Sequence, residues 1–233
     1  MHPMHWLEAL PTIVSAMALV GGGIGSDAGP VARPEPGDEP TPKGPTKVGI
    51  LLFDGVELLD FAGPAEVFVV AREARLFRVF TVAEHKRPVR TMGEVEVTPH
   101  FDYDDAPTFD VLVVPGGNMR NVTARGMDFL RKASAAATIT MSVCMGAMLL
   151  ARAGLLEGLE ATTHHWGLEQ LQRFAPTCRV VTGRRFVDAG RIVTTAGVTA
   201  GIDGALHVVR RLHGAEAAQW TAAEWMEHPT PPL

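Results

Sequence analysis

Two stretches of this chain, Lys47-Val-Gly-Ile-Leu-Leu-Phe53 and Asp110-Val-Leu-Val-Val114, are apolar along nearly their whole length instead of at alternate positions. A strand with one wet face alternates, whereas a strand covered on both faces does not. These runs therefore read as central strands of a sheet with helices above and below it, which narrows the fold to an α/β class with a mostly parallel sheet. Each run stops at a turn signal, Asp54-Gly55 after the first and Pro115-Gly-Gly117 after the second.

The intervening segments keep the alternation going. Gly63-Pro64 opens a helix over 65–74, with proline where a helix tolerates it best. Residues 78–83 form a second strand, and 89–97 around Met92-Gly93 form a hairpin. A helix over 127–137 leads to a strand over 139–143, then a helix that stops at Gly154. A strand at 159–163, a helix at 166–174, short strands at 180–181, 186–187 and 192–195, and helices at 200–212 and 215–226 complete the pattern. In sheets of this kind ligands sit at the carboxyl ends of the strands, where Gly116-Gly117, Cys144 and His164-His165 fall.

A chain of 233 residues with 46% apolar content supports one main domain, here 47–228, followed by a short tail at 229–233. A formal charge of −5 offers no electrostatic footprint for nucleic acid. Two cysteines do not make a disulfide framework, and neither they nor the nine histidines fall at a zinc spacing. With no Walker loop and no dinucleotide-binding glycine pattern, neither a metal nor a cofactor is expected. Residues 10–25 are mostly apolar but too short for a stable membrane span, and Pro11, Thr12 and Ser15 interrupt them. Ser26-Asp-Ala28 suits signal-peptidase cleavage, so 1–28 read as a signal peptide and 29–46 as a Pro/Gly-rich linker, pointing to export. The first eight residues carry no Lys or Arg, which leaves a plain extension or an upstream start codon on a cytoplasmic protein as the alternative.

The chemistry concentrates at Thr138-Ile-Thr-Met-Ser-Val-Cys-Met-Gly-Ala-Met-Leu-Leu150, a β-type run that stops at Cys144 and resumes as a helix. A cysteine at a strand-to-helix junction sits on the tight turn of a nucleophile elbow. The unpaired N–H groups and the dipole of the following helix favour thiolate over thiol there, and Gly146 permits close packing where the turn enters the helix. Cys178, in a loop leading to a strand, reads as a structural core residue.

Five segments, in order along residues 47–228, carry a resemblance: Phe53-Asp-Gly-Val-Glu-Leu-Leu-Asp-Phe-Ala-Gly-Pro64, Val113-Val-Pro-Gly-Gly117, Ser142-Val-Cys-Met-Gly-Ala147, the stretch from Ala153 to His164 that ends in Ala-Thr-Thr-His, and Ala196-Gly-Val-Thr-Ala-Gly-Ile-Asp203. On these the chain resembles the ThiJ/PfpI superfamily, whose fold is flavodoxin-like and shared with class I glutamine amidotransferases. The branch is that of isocyanide hydratases and the sensor domains of AraC-type regulators. The resemblance implies that Cys144 is the nucleophile, that Asp60 approaches its thiol, that the N–H groups of Gly117 and Met145 form an oxyanion hole, and that the protein is a homodimer. One departure stands out. Met145 occupies the place of the His that follows the cysteine in protease-like branches and of the Thr common in hydratases, and a thioether is only a weak acceptor.

His164 and His165 are candidates for acid/base chemistry or substrate contact, with one packed and one solvated ring as the ordinary alternative. Local helix capping accounts for Thr199 and Asp203. The leading expectation is an enzyme that uses a cysteine to hydrate or hydrolyse a small C–N compound. A ligand- or redox-sensing domain with little turnover is the alternative.

Overall fold

The computed structural model describes residues 44–72 and 75–228; the signal peptide, nearly all of the linker and the tail expected from the sequence lie outside them. The first apolar run is β1, Thr46–Leu51, followed by α1, Leu58–Val70, and β2, Phe77–Ala83. The hairpin is β3, Val89–Arg90, paired antiparallel with β4, Glu96–Val97. A short strand not expected from the sequence, β5, Phe101–Asp102, pairs with the end of β2. Then come β6, Val111–Val114, α2, Ala124–Ala136, β7, Ile139–Ser142, and α3, Gly146–Arg152. The last part holds β8, Glu160–Ala161, α4, Leu168–Phe174, β9, Arg179–Val180, β10, Phe186–Asp188, β11, Ile192–Thr195, and α5, Ala200–Trp220. A non-helical Gly214 breaks α5 between the two helices read from the sequence.

Seven strands form one sheet in the order β10-β11-β7-β6-β1-β2-β5, parallel throughout except for the β10–β11 edge pair. Every residue of β6, β7 and β11 is buried, as strands covered on both sides require. The two layers can be traced from β7: Met141 packs at Gly204 of α5, while the Thr140 hydroxyl donates to Ser134 of α2 on the opposite face. Chain order reverses at β1, which has β2 on one side and β6 on the other. Such a reversal opens a crevice at the carboxyl ends of the flanking strands.

The boundary that differs most from the sequence reading is the start of α1. Helix α1 begins at Leu58 and contains Pro64 in its interior, instead of opening at Gly63-Pro64. Proline removes the N–H that would bond to the carbonyl of residue 60, but its ring packs at Gly201 of α5, so tertiary contact outweighs the local signal. Asp60 is consequently in the first turn of the helix. No helix among the described residues is long and apolar enough to cross a membrane.

Gly146 fixes how closely α3 approaches the sheet, because a Cβ there would lie 2.1 Å from the carbonyl oxygen of Val114. Backbone cannot yield as a side-chain tip can. Gly146→Ala should cost about 3 kcal/mol or more, read as a fall in Tm; an unchanged Tm would show that α3 can lift off β6.

Candidate functional site

Cys144 follows β7 with φ of +56°, in the left-handed region that side chains other than glycine avoid. That strained turn is held from three directions. Its N–H donates to the carbonyl of Ala196 after β11 at 3.0 Å, its own carbonyl accepts from the Thr163 hydroxyl at 2.7 Å, and Val143 N–H reaches Val114 O at 3.0 Å. The elbow expected from the sequence is therefore formed, and Cys144 is buried.

Asp60 is brought to the same place by α1. Its carboxylate is completely buried, with Oδ2 accepting from Gly116 N–H at 3.0 Å and Oδ1 left without a hydrogen-bond partner. A Cβ on Gly116 would lie 2.8 Å from Asp60 Oδ2, 2.8 Å from Met145 N and 3.3 Å from Cys144 Cβ. The space that Gly116 leaves free is where the carboxyl, the thiol turn and the following amide converge.

Burial controls the protonation of both groups. Asp60 is raised from 3.8 to about 7, first by loss of water, with the Gly116 N–H pulling the other way and the Glu57 charge adding to the rise. The Cys144 thiol is raised from 9.0 to about 12 by burial and by the Asp60 charge, against the N–H groups of Met145 and Val198 that face its sulfur. Burial and the neighbouring carboxylate thus oppose the thiolate that the helix N-terminus favours. The pair holds a single proton between about pH 7 and about pH 12, over the Asp60 carboxyl and the Cys144 sulfur together.

Met145 N–H, expected in an oxyanion hole, faces the Cys144 sulfur. Gly117, with φ of +125°, is held by an antiparallel bridge to Val56, in which Glu57 N–H reaches Gly116 O at 3.0 Å and Asn118 N–H reaches Gly55 O at 2.8 Å. That bridge uses the neighbouring amides and leaves Gly117 N–H with no backbone acceptor among the described residues. Val198 is the site residue that the sequence reading missed. It has φ of +42°, unusual for a β-branched residue, and nothing in its side chain signals that its backbone does the work.

The two histidines separate as one packed and one exposed ring. His164 fits against Gly197, where a Cβ would lie 2.3 Å from its Cδ2, and its Nδ1 accepts from Trp166 N–H at 3.2 Å. Partial burial and His165 lower its pKa, which keeps the ring neutral with Nε2 carrying the proton. The His164 and His165 rings lie 4.3 Å apart under an exposed Trp166. Met145 packs its sulfur at Gly167 in the same turn. Thr199, expected as a helix cap through its side chain, makes no such bond; its hydroxyl accepts from Arg185 instead. Cys178 is buried in the core, as read from the sequence. Among the described residues no group of three His, Cys, Asp or Glu side chains could hold a metal ion.

Comparison with known proteins identifies the family and the fold. The model of the DJ-1/PfpI family matches residues 46–211. The chain is 34% identical over 191 residues to an isonitrile hydratase of Pseudomonas putida, covering 80% of this chain and 81% of that protein. It is 32% identical over 186 residues to the HTH-type transcriptional regulator GbdR of Pseudomonas aeruginosa, where it spans 50% of the regulator's length. Among solved structures, a ThiJ/PfpI family protein from Pseudomonas syringae superimposes with a TM-score of 0.71 at 28% identity, covering 88% of this chain and 85% of that one.

Because the Asp60 pKa is higher in the folded than in the unfolded chain, folding is favoured while the carboxyl is protonated, and that benefit is lost as pH rises from 3.8 through about 7. At ~1.4 kcal/mol per pH unit the loss approaches ~4 kcal/mol. Asp60→Asn should accordingly raise Tm at pH 8.5 by roughly 5–10 °C and leave it nearly unchanged at pH 4. Equal effects at both pH values would refute the buried-charge explanation.

Proposed function

The chain belongs to the DJ-1/PfpI family, and within it we propose a cysteine-dependent enzyme that adds water to a small C–N compound, an isocyanide in the first instance. The observation that carries this reading is the buried Asp60 carboxyl, held by Gly116 N–H where the buried Cys144 thiol converges with it and raised to about 7 by that burial. A general base is most effective when its pKa lies near the working pH, and a weak nucleophile becomes effective when such a base accepts its proton. Similarity to an isonitrile hydratase along most of both chains supports the choice of substrate.

The steps follow from those roles. Asp60 accepts the Cys144 proton while sulfur attacks the terminal carbon of R–N≡C, and delivery of that proton to the carbon gives a thioimidate, R–N=CH–S–Cys. Water then adds across the C=N bond, Asp60 relaying its proton, and cleavage of the C–S bond releases the formamide R–NH–CHO with the thiol restored. Electrons balance with no oxidant. In this reading Gly117 N–H and Met145 N–H stabilise the charge that develops in these steps, and His164, with a donor at Nε2, contacts polar atoms of the R group. The substrate is small, the working unit is a homodimer, and no nucleic acid takes part.

A second reading, a ligand or redox sensor with slow turnover, is favoured by the match to half the length of a transcriptional regulator. The two readings part on turnover. On a panel of isocyanides, nitriles and amides, wild type should hydrate an isocyanide with a rate that climbs through about pH 7 as Asp60 ionises, and Cys144→Ser should lower it about a thousandfold or more. Equal rates in both proteins would exclude the enzyme; oxidation of Cys144 by stoichiometric peroxide with no hydration would favour the sensor.

A further inference from the structure

The turn that carries Val198 is strained, and strain of this kind persists only where surrounding structure over-determines it, at a cost on the order of 1–3 kcal/mol. What holds it is a group of side chains outside the described site. Arg185, in the loop before β10, donates from Nε to Oδ2 of Asp203 at 2.5 Å and from Nη2 to the Thr199 hydroxyl at 3.2 Å. Asp203, in the first turn of α5, is buried, and its other oxygen meets His228 Nε2 at 3.0 Å. The backbone of Arg185 joins the same chain of bonds: its carbonyl accepts from Ala196 N–H at 2.8 Å, and the Ala196 carbonyl accepts from Cys144 N–H at 3.0 Å. One residue thereby grips the segment 196–203 at both ends, with Val198 between the grips.

We infer that Arg185 is a positioning residue, whose fork to Asp203 and Thr199 keeps the strained Val198 turn in place so that its amide faces the Cys144 sulfur. Burying a carboxylate at the start of α5 is costly unless it is paired, and helix capping would not need an arginine reaching from another loop. A planar guanidinium can engage a carboxylate and a hydroxyl in one fixed geometry, which an ammonium cannot reproduce. The inference rests on Cys144 being the nucleophile, but it concerns the sulfur's reactivity and not any substrate. The charged and titratable groups involved are few. Asp60 of α1, with Glu57 behind it, faces the thiol, and Asp203 and His228 face Arg185.

The experiment is the rate of Cys144 carbamidomethylation by iodoacetamide from pH 5 to 10, localised by peptide mass spectrometry, for wild type, Arg185→Gln, Arg185→Lys and Thr199→Val, with Tm measured alongside. Arg185→Gln should move the profile to higher pH and slow alkylation at pH 7 about fivefold, the loss expected for one hydrogen bond. Thr199→Val should move it in the same direction by less, and Arg185→Lys should recover part of the rate. If the variants lose Tm while their profiles superimpose on that of wild type, Arg185 is a structural brace only and the inference fails. Should Arg185→Gln not fold, Thr199→Val, at an exposed position, decides the matter by itself. Failure of the nucleophile reading registers separately, as isocyanide hydration unchanged in Cys144→Ser, and leaves the alkylation comparison intact.

Discussion

A carboxyl and a thiol, both withdrawn from water and sharing one proton, set the terms for the rest of this molecule. Loss of solvent raises Asp60 and Cys144 together, and the Asp60 charge raises the thiol further, since two adjacent buried negative charges are far costlier than one, whereas a hydrogen bond from the thiol lowers Asp60. The consequence is a pair with one negative charge over a wide range of pH. The proposed reaction then needs only a transfer of the proton within the pair, with no change in its net charge. The fold serves this by ending β1, β6, β7 and β11 at one crevice, from which α1, the Gly116-Gly117 turn, the elbow and the Val198 turn each contribute a group.

Such a site opposes stability at several points. Cys144 and Val198 both hold left-handed backbone, Asp60 Oδ1 has no partner, and the carboxylate form of Asp60 is disfavoured by burial. Sites that act on substrates commonly carry strain and unsatisfied polar groups of this kind. The compensation is visible in the surrounding sheet, whose central strands are buried along their full length, and in the close approach of α3 that Gly146 permits.

The fold was legible in the sequence because continuous apolar runs have few alternatives to a covered parallel strand, as β1 and β6 show. Boundaries were less legible: Pro64 carries a strong local signal for a helix start, and only its packing at Gly201, far along the chain, explains an interior position. Strand β5 was missed because two residues contain too little pattern to read. At the site, the motifs pointed to Cys144, Asp60, Gly117 and Met145, and the structure brings Cys144, Asp60 and the Met145 amide together at Gly116. The state of the thiol could not be read from them, since desolvation is a property of the packed structure, and neither could Val198, whose contribution is a backbone amide that every residue type except proline possesses. Asp203 and Thr199 looked like ordinary capping residues because Arg185 reaches them only through the tertiary fold.

The claim on which all of this turns is that Asp60 is a buried carboxyl titrating near neutrality beside Cys144. Carbon-13 NMR of the aspartate Cγ resonances across pH, with Asp60 assigned by its absence in Asp60→Asn, measures it directly. Asp60 should show a midpoint of about 7, well above that of solvent-exposed aspartates. A midpoint near 4 would contradict the claim, since the carboxylate would then be too weak a base to take the proton of the thiol.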